Sequence, residues 1–278
     1  MFATIPAFGP LTLRIPLPDF LPFAEIPIHS FGVLIAIGFV VGAYIAKGRA
    51  RRLGLDPEIV DRIVPHLVFA MFLGGHVGYG LMYKPTEYFA DPIKFLYVWE
   101  GLSSVGGIFA CLVALALFFR REGIAPWGYL DCLAHGFTVG FFFGRMGCFT
   151  VHDHPGTEST FFLAVDGICA TTADPSVACH DMGLYEALWS ISLYGLFVFM
   201  DRTPRVVGTY ALGFFIAYAP VRIFMDFFRP LSTDVRYGFF TPAQYFVVFF
   251  FCVSVFWLYR RHQANDPYVW ALRHPPKD

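Results

Sequence analysis

The sequence predicts an all-α polytopic membrane protein with about seven transmembrane helices. Three observations make the prediction: an apolar composition, apolar stretches of bilayer length and an uneven distribution of basic residues. Of the 278 residues, 56% are hydrophobic, 19% aromatic and 15% charged, against about a quarter charged in an ordinary soluble domain. A net charge of −1 gives a nucleic-acid partner no electrostatic support. A hydrocarbon core about 30 Å thick takes roughly 20 apolar helical residues to cross. Stretches at 28–47, 62–83, 103–119, 130–149, 183–200, 207–228 and 241–259 approach that length. Backbone groups in lipid must be satisfied within a helix or a closed barrel, and the strand alternation of a barrel is missing.

Lysine and arginine set the orientation. One set of alternate connections holds 13 of them: Lys47, Arg49, Arg51, Arg52, Arg62, Arg120, Arg121, Arg202, Arg205, Arg260, Arg261, Arg273 and Lys277. The other set, with the helix ends facing it, holds seven: Arg14, Lys84, Lys94, Arg145, Arg222, Arg229 and Arg236. The richer side is expected to be cytoplasmic, which puts the N-terminus in the periplasm and the C-terminus in the cytoplasm. Residues 1–27 then read as an interfacial periplasmic arm, and 28–260 as the transmembrane domain with a periplasmic insertion at 150–182. Residues 261–278 form a cytoplasmic tail. Prolines 6, 10, 16, 18, 22 and 27 interrupt the arm, so no cleavable signal peptide is expected. Cys111, Cys132, Cys148 and Cys252 lie in or beside apolar segments, whereas Cys169 and Cys179 share the insertion and are the one pair suited to a disulfide.

Charges inside a span cost several kcal/mol and usually mark function. Arg222, Asp226 and Arg229 stand at i, i+4 and i+7, which predicts one stripe on one helix face. In the fourth span Arg145 lies between Gly144 and Gly147. Small neighbours let a ligand approach the backbone, and a guanidinium holds phosphate bidentately, so Arg145, Arg222 and Arg229 are candidates for an anion cradle around a lipid head group. The blander reading makes the arginines snorkelling or paired residues and the glycines helix-packing positions. Asp131, 14 residues before Arg145, belongs near the cytoplasmic end, as a structural cap or a catalytic group. The run His152-Asp153-His154 offers imidazoles and a carboxylate suited to general-base work. Its alternatives are a plain polar turn and a metal site, the latter weakened by the lack of a clear third ligand. His76 reads as a packed or pore-lining histidine, and Glu186 as the partner of an arginine or an interfacial residue.

Several ordered blocks together resemble the bacterial prolipoprotein diacylglyceryl transferase family, from His29 to Tyr259. They are Ile28-His29-Ser30-Phe31-Gly32, Gly74-Gly75-His76-Val77-Gly78-Tyr79, Ala90-Asp91-Pro92, Val98-Trp99-Glu100-Gly101 with Gly106-Gly107, Asp131, Gly144-Arg145-Met146-Gly147, Tyr185-Glu186-Ala187-Leu188, Arg222 with Asp226 to Arg229, and Gln244. The resemblance implies transfer of a diacylglyceryl group from phosphatidylglycerol to the lipobox cysteine of a prelipoprotein signal peptide, with glycerol 1-phosphate released. It implies a place in the bacterial inner membrane among membrane lipids, and no cofactor or metal. Arg145 and Arg222 match the family's essential arginines and are expected to hold the departing phosphate. Asp226 matches a family glutamate that positions Arg222, and Arg229 a further basic position; Gly106, Gly107, Gly144, Glu186 and His76 complete the expected substrate site.

Departures from the family pattern fall on the proton-transfer half of that chemistry. The usual His-Gly-Gly reads Val105-Gly106-Gly107, Phe31 replaces a tyrosine and His76 an arginine. Cys148 replaces the asparagine of Gly-Arg-x-Gly-Asn, while Val151 and Asp153 stand where asparagine and glutamate are usual. His152 or His154 is therefore expected to supply the missing base. A catalytically silent paralogue that binds phospholipid or lipoprotein precursors is the second reading. A transporter is a third, opposed by the absence of an internal repeat.

Overall fold

The computed structural model describes residues 4–6, 8–9, 12–16, 25–97, 101–230 and 235–264. Val98, Trp99 and Glu100 of the resemblance, much of the arm and the tail residues Arg273 and Lys277 lie outside them. The chain is mostly helical, and each predicted span coincides with one long helix: α1 (Ser30–Arg52), α2 (Pro57–Tyr83), α4 (Ser104–Glu122), α5 (Pro126–Val151), α6 (Met182–Met200), α7 (Thr209–Asp226) and α8 (Pro242–Gln263). Five of them, α1, α2, α4, α6 and α8, are long and apolar enough to cross a membrane. α5 and α7 are less apolar, because they carry the buried polar residues Asp131, His135 and Arg145, and Arg222 and Asp226. The chain is a multi-pass membrane protein.

Local sequence explains where the helices start. Asp56 accepts from the Glu58 amide ahead of Pro57, the first residue of α2; Ser103 accepts from the Gly106 amide at 3.2 Å to open α4; Thr241 and Gln244 form a reciprocal capping box ahead of Pro242 at α8. Side-chain acceptors here satisfy amides that a helix leaves unpaired. Several elements go beyond the all-α expectation. In the arm, β1 (Thr12–Pro16) pairs antiparallel with β2 (Glu25–His29), so the chain enters α1 two residues later than predicted. The short α3 (Pro85–Ala90) and a 3₁₀ turn at Pro92–Leu96 connect α2 to α4. In the insertion, β3 (Pro155–Glu158), β4 (Val165–Asp166) and β5 (Ala178–Asp181) form an antiparallel sheet in the order β3-β5-β4. Cys169 and Cys179, the pair whose bonding the sequence left open, form a disulfide that ties the approach to β5 to the strand itself.

Contacts divide the chain into two compact units. The first comprises Met1–Gly42, His135–Arg202 and Ile223–Asp234; the second comprises Ala43–Ala134, Thr203–Arg222 and Val235–Asp278. Within the first, α1 meets α5 backbone to backbone. A β-carbon added to Gly38 would lie 2.8 Å from the Gly140 carbonyl oxygen, and one on Gly42 2.8 Å from that of Gly136. Both helices thus present glycines four residues apart at one crossing. This is how membrane helices gain packing energy in a solvent as apolar as themselves. Ser190 adds a buried hydrogen bond from α6 to the Thr138 carbonyl of α5 at 2.6 Å.

In the second unit α2 and α4 approach in the same manner: a β-carbon on Gly78 would sit 2.6 Å from the Gly106 α-carbon. Ala46, Ala50, Leu53, Ile59, Val60, Ile63, Phe118 and Phe119 form its apolar core. Asp131 proves to be a cap, accepting from the amides of Gly208 (2.7 Å), Tyr210 (2.9 Å) and Ala211 (3.0 Å) at the start of α7. Arg49 lies over the Tyr210 ring at 4.7 Å and Arg261 over Trp127 at 4.5 Å.

The glycine crossing makes a direct prediction. Gly42→Val pushes a side chain into the Gly136 backbone and is expected to cost about 2 kcal/mol, read as a lower unfolding midpoint of the purified protein in detergent. Gly48→Ala on the same helix, where an added β-carbon meets nothing within 4 Å, leaves that midpoint unchanged or slightly higher.

Candidate functional site

The last two turns of α5 carry the polar centre of the first unit. Arg145 is 6% exposed and Glu186, from the first turns of α6, is fully buried. The arginine Nε donates to Glu186 Oε2 at 2.9 Å, and its guanidinium carbon lies 4.9 Å from the Phe141 ring centre. A carboxylate this buried is tolerated because it is paired. Around the arginine the two glycines differ. Gly147 packs against Phe31, whereas a β-carbon on Gly144 would meet nothing within 4 Å, so that side of the helix is open to a ligand.

Immediately after α5 the chain reverses. His152 has φ of 49°, a left-handed conformation that costs a non-glycine residue on the order of 1 kcal/mol. Its Nδ1 bonds Asp181 Oδ2 at 2.8 Å, while Asp181 Oδ1 accepts from the Leu184 amide at 3.0 Å and so caps α6. One buried carboxylate therefore fixes both the turn and the next helix. The opposite nitrogen of His152, Nε2, is buried and has no hydrogen-bond partner among the described residues. The Phe8 ring of the arm lies 4.7 Å from the imidazole.

The reversal brings residues after the turn back against the last turn of α5. His154 Nδ1 hydrogen-bonds Asp153 Oδ1. The Cys148 sulfur, a carboxylate oxygen of Asp153 and a ring nitrogen of His154 all lie within 4.8 Å of one another. Arg145 Nη1 stands 4.0 Å from that sulfur. Nearby in sequence, His180 bonds the Tyr185 hydroxyl at 2.8 Å, and burial pushes its imidazole below the ordinary histidine range.

Arg222 belongs to the second unit, buried at 5% exposure. It lines a small cavity of about 20 Å³ whose other walls are mainly apolar, Val105, Ile108, Phe214, Tyr218 and Val247 among them. Val105 thus faces the same cavity as Arg222. Asp226 is 1% exposed at the end of α7. The predicted three-residue stripe is corrected here: α7 stops at Asp226, and Arg229 lies beyond it in a turn. Pro230 disfavours helix at the residue before it, and the Phe228 carbonyl is taken by the Thr157 amide at 2.6 Å.

Gly106 abuts the backbone of Gly74 and Gly78, and Gly107 that of Met71, so both are close-approach positions between α2 and α4. His76 is fully buried and faces the carbonyls of Lys94 (3.1 Å) and Gly101 (3.4 Å), bracing the connection between those helices. Sequence reasoning passed over Asp181, although an aspartate directly before a long apolar run is an N-cap signal. It also left Cys148 out of the His152–His154 group, since nothing in the spacing announces the reversal at His152.

A family profile described as prolipoprotein diacylglyceryl transferase matches residues 18–260. The chain belongs to that family. Relatives named phosphatidylglycerol-prolipoprotein diacylglyceryl transferase cover most of it. The protein of Chromohalobacter salexigens is 31% identical over 216 residues, 76% of this chain and 78% of its own. That of Hydrogenovibrio crunogenus is 29% identical over 266 residues, 90% of this chain and 97% of its own. That of Agrobacterium fabrum is 29% identical over 239 residues, 80% and 84% respectively. The family match spans Arg145, Glu186, Arg222 and Asp226, together with Val105, Cys148 and Asp153.

The buried pair is open to test. Glu186→Ala removes the carboxylate that holds Arg145 and is expected to destabilise the protein by about 3 kcal/mol. The double variant Arg145→Leu/Glu186→Leu, which removes both charges, should recover a substantial part of that loss in detergent unfolding.

Proposed function

We propose that this chain transfers a diacylglyceryl group from phosphatidylglycerol to the lipobox cysteine of prelipoproteins, the first step of lipoprotein maturation. The observation that carries the reading is a buried arginine, Arg222, at an apolar cavity. A phosphate head group at the edge of lipid calls for such a cation, and it stands in a chain whose Hydrogenovibrio crunogenus relative bears the transferase name along nine-tenths of this chain's length. The thiol sulfur attacks the glyceryl carbon, forming a C–S bond as the C–O bond to phosphate breaks, and glycerol 1-phosphate leaves with the electron pair. Negative charge grows on that phosphate, where fixed cations stabilise it. Arg222 takes this role with Asp226 positioning it; Arg145, held by Glu186, takes it with Gly144 leaving the approach open. Arg229 attracts the head group, while Gly106, Gly107 and His76 shape the site by setting the α2–α4 approach. Thiol activation falls to the turn containing His152 and His154.

The reaction belongs in the bacterial inner membrane, crossed seven times, with the insertion on the periplasmic side. The 13 basic residues assigned to the other face support this, as does a disulfide in the insertion, which calls for an oxidising compartment. Val105 at the Arg222 cavity favours a second reading, a catalytically silent member that binds phospholipid or precursors without transferring the group.

Purified protein, phosphatidylglycerol and a lipobox peptide are expected to give a mobility-shifted product, and the gene should complement a strain lacking its transferase; neither result under varied lipid and pH sinks the transferase and leaves the binder. Arg222→Ala should lower the transfer rate by about 100-fold, and Arg222→Lys should stay more than about 10-fold down, because an ammonium offers no bidentate grip. Wild-type activity in both His152→Ala and His154→Ala proteins would remove thiol activation from that turn.

A further inference from the structure

We infer that Cys148, Asp153 and His154 form a Zn²⁺ site whose open fourth position takes the substrate's cysteine as a thiolate. The inference rests on the transferase reading and supplies its thiol activation. Two observations support it. Ligand atoms of three kinds, thiol sulfur, carboxylate oxygen and imidazole nitrogen, lie within 4.8 Å of one another, so a small contraction brings them to the spacing of one tetrahedral shell. The left-handed turn at His152, pinned by the buried Asp181, holds residues 153 and 154 against the end of α5.

Chemistry selects the ion. Thiolate with imidazole and carboxylate suits zinc and excludes magnesium or calcium, and three protein ligands with one open position make a reactive site rather than a structural one. A thiolate and a carboxylate neutralise Zn²⁺, which suits the margin of an apolar phase. When the substrate thiol binds the metal it loses its proton to water, since a coordinated thiol is deprotonated outright. The sulfur keeps its electron pair for attack on the glyceryl carbon, the C–O bond to phosphate breaks, and glycerol 1-phosphate departs with that pair. No residue of the chain has to act as the base.

Co²⁺ is the probe. Full-length protein in detergent, stripped with a chelator and titrated with Co²⁺, should bind one equivalent with the intense visible bands of tetrahedral cobalt and a near-ultraviolet sulfur-to-cobalt charge-transfer band. Cys148→Ser should abolish the charge-transfer band, while Cys252→Ser, on an exposed residue of α8, leaves it intact. His154→Ala, a change at a partly exposed loop position, should keep the band but weaken binding by more than about 10-fold. A lipobox peptide should then raise the band's intensity about twofold as a second sulfur joins the metal, and its serine analogue should not. Failure to bind an equivalent of Co²⁺, or a band that survives Cys148→Ser, overturns the site. A band unmoved by the cysteine peptide overturns its role in thiol activation. Protein that binds Co²⁺ and the peptide thiol yet transfers no lipid supports the site and overturns the transferase reading beneath it.

Discussion

A helix surrounded by lipid gains nothing by hiding apolar surface against another helix, so position in such a protein depends on close backbone contact and buried polar bonds. α5 is where this constraint bears hardest. Gly136 and Gly140 let it meet α1 across Gly42 and Gly38, and Ser190 bonds its Thr138 carbonyl from α6. These contacts fix a rod of 26 residues, about 39 Å long, that carries Asp131 near its start and Arg145 and Cys148 near its end. A bulky residue at the crossing would displace the arginine together with its helix. The glycines thus set the geometry of a charge they never touch.

The polar end of α5 shows how a small number of carboxylates organises a site at the edge of lipid. Glu186 holds Arg145, and Asp181 holds His152 with one oxygen and the start of α6 with the other. Each does work that packing cannot do: an imidazole in a left-handed turn and a guanidinium in an apolar setting both relax elsewhere without a fixed partner. Asp131 plays the equivalent part in the second unit by collecting three amides at the head of α7. Glu186, Asp181 and Asp131 act here as positioning groups.

Apolar length and the placement of basic residues were enough to locate all seven long helices, because a bilayer imposes a length that composition reports directly. Arg145 was legible as an intramembrane charge, whereas Glu186 read equally as an arginine's partner or an interfacial residue until the structure paired the two. The hairpin of β1 and β2 was not, as the prolines around it mask any alternation. The extent of α7 was misread for a related reason: periodicity continues through Arg229, but the chain turns at Phe227 under the pull of Pro230 and the bond from Thr157. Helical spacing also hides the neighbourhood of Cys148, Asp153 and His154. Five and six residues apart, they share no helix face, and only the reversal at His152 makes them neighbours.

That reversal also bears on how a thiol is activated beside it. A thiol is a far weaker nucleophile than its thiolate, and the thiolate is generated by a base or by a Lewis acid. A base requires one imidazole and an orienting carboxylate, which His154 and Asp153 already provide; Cys148 adds nothing to that pair. A Lewis acid requires a third donor, and a soft sulfur supplies it while discriminating against the abundant hard cations. A cysteine in reach of both partners is what distinguishes the two solutions, and it weighs toward the metal.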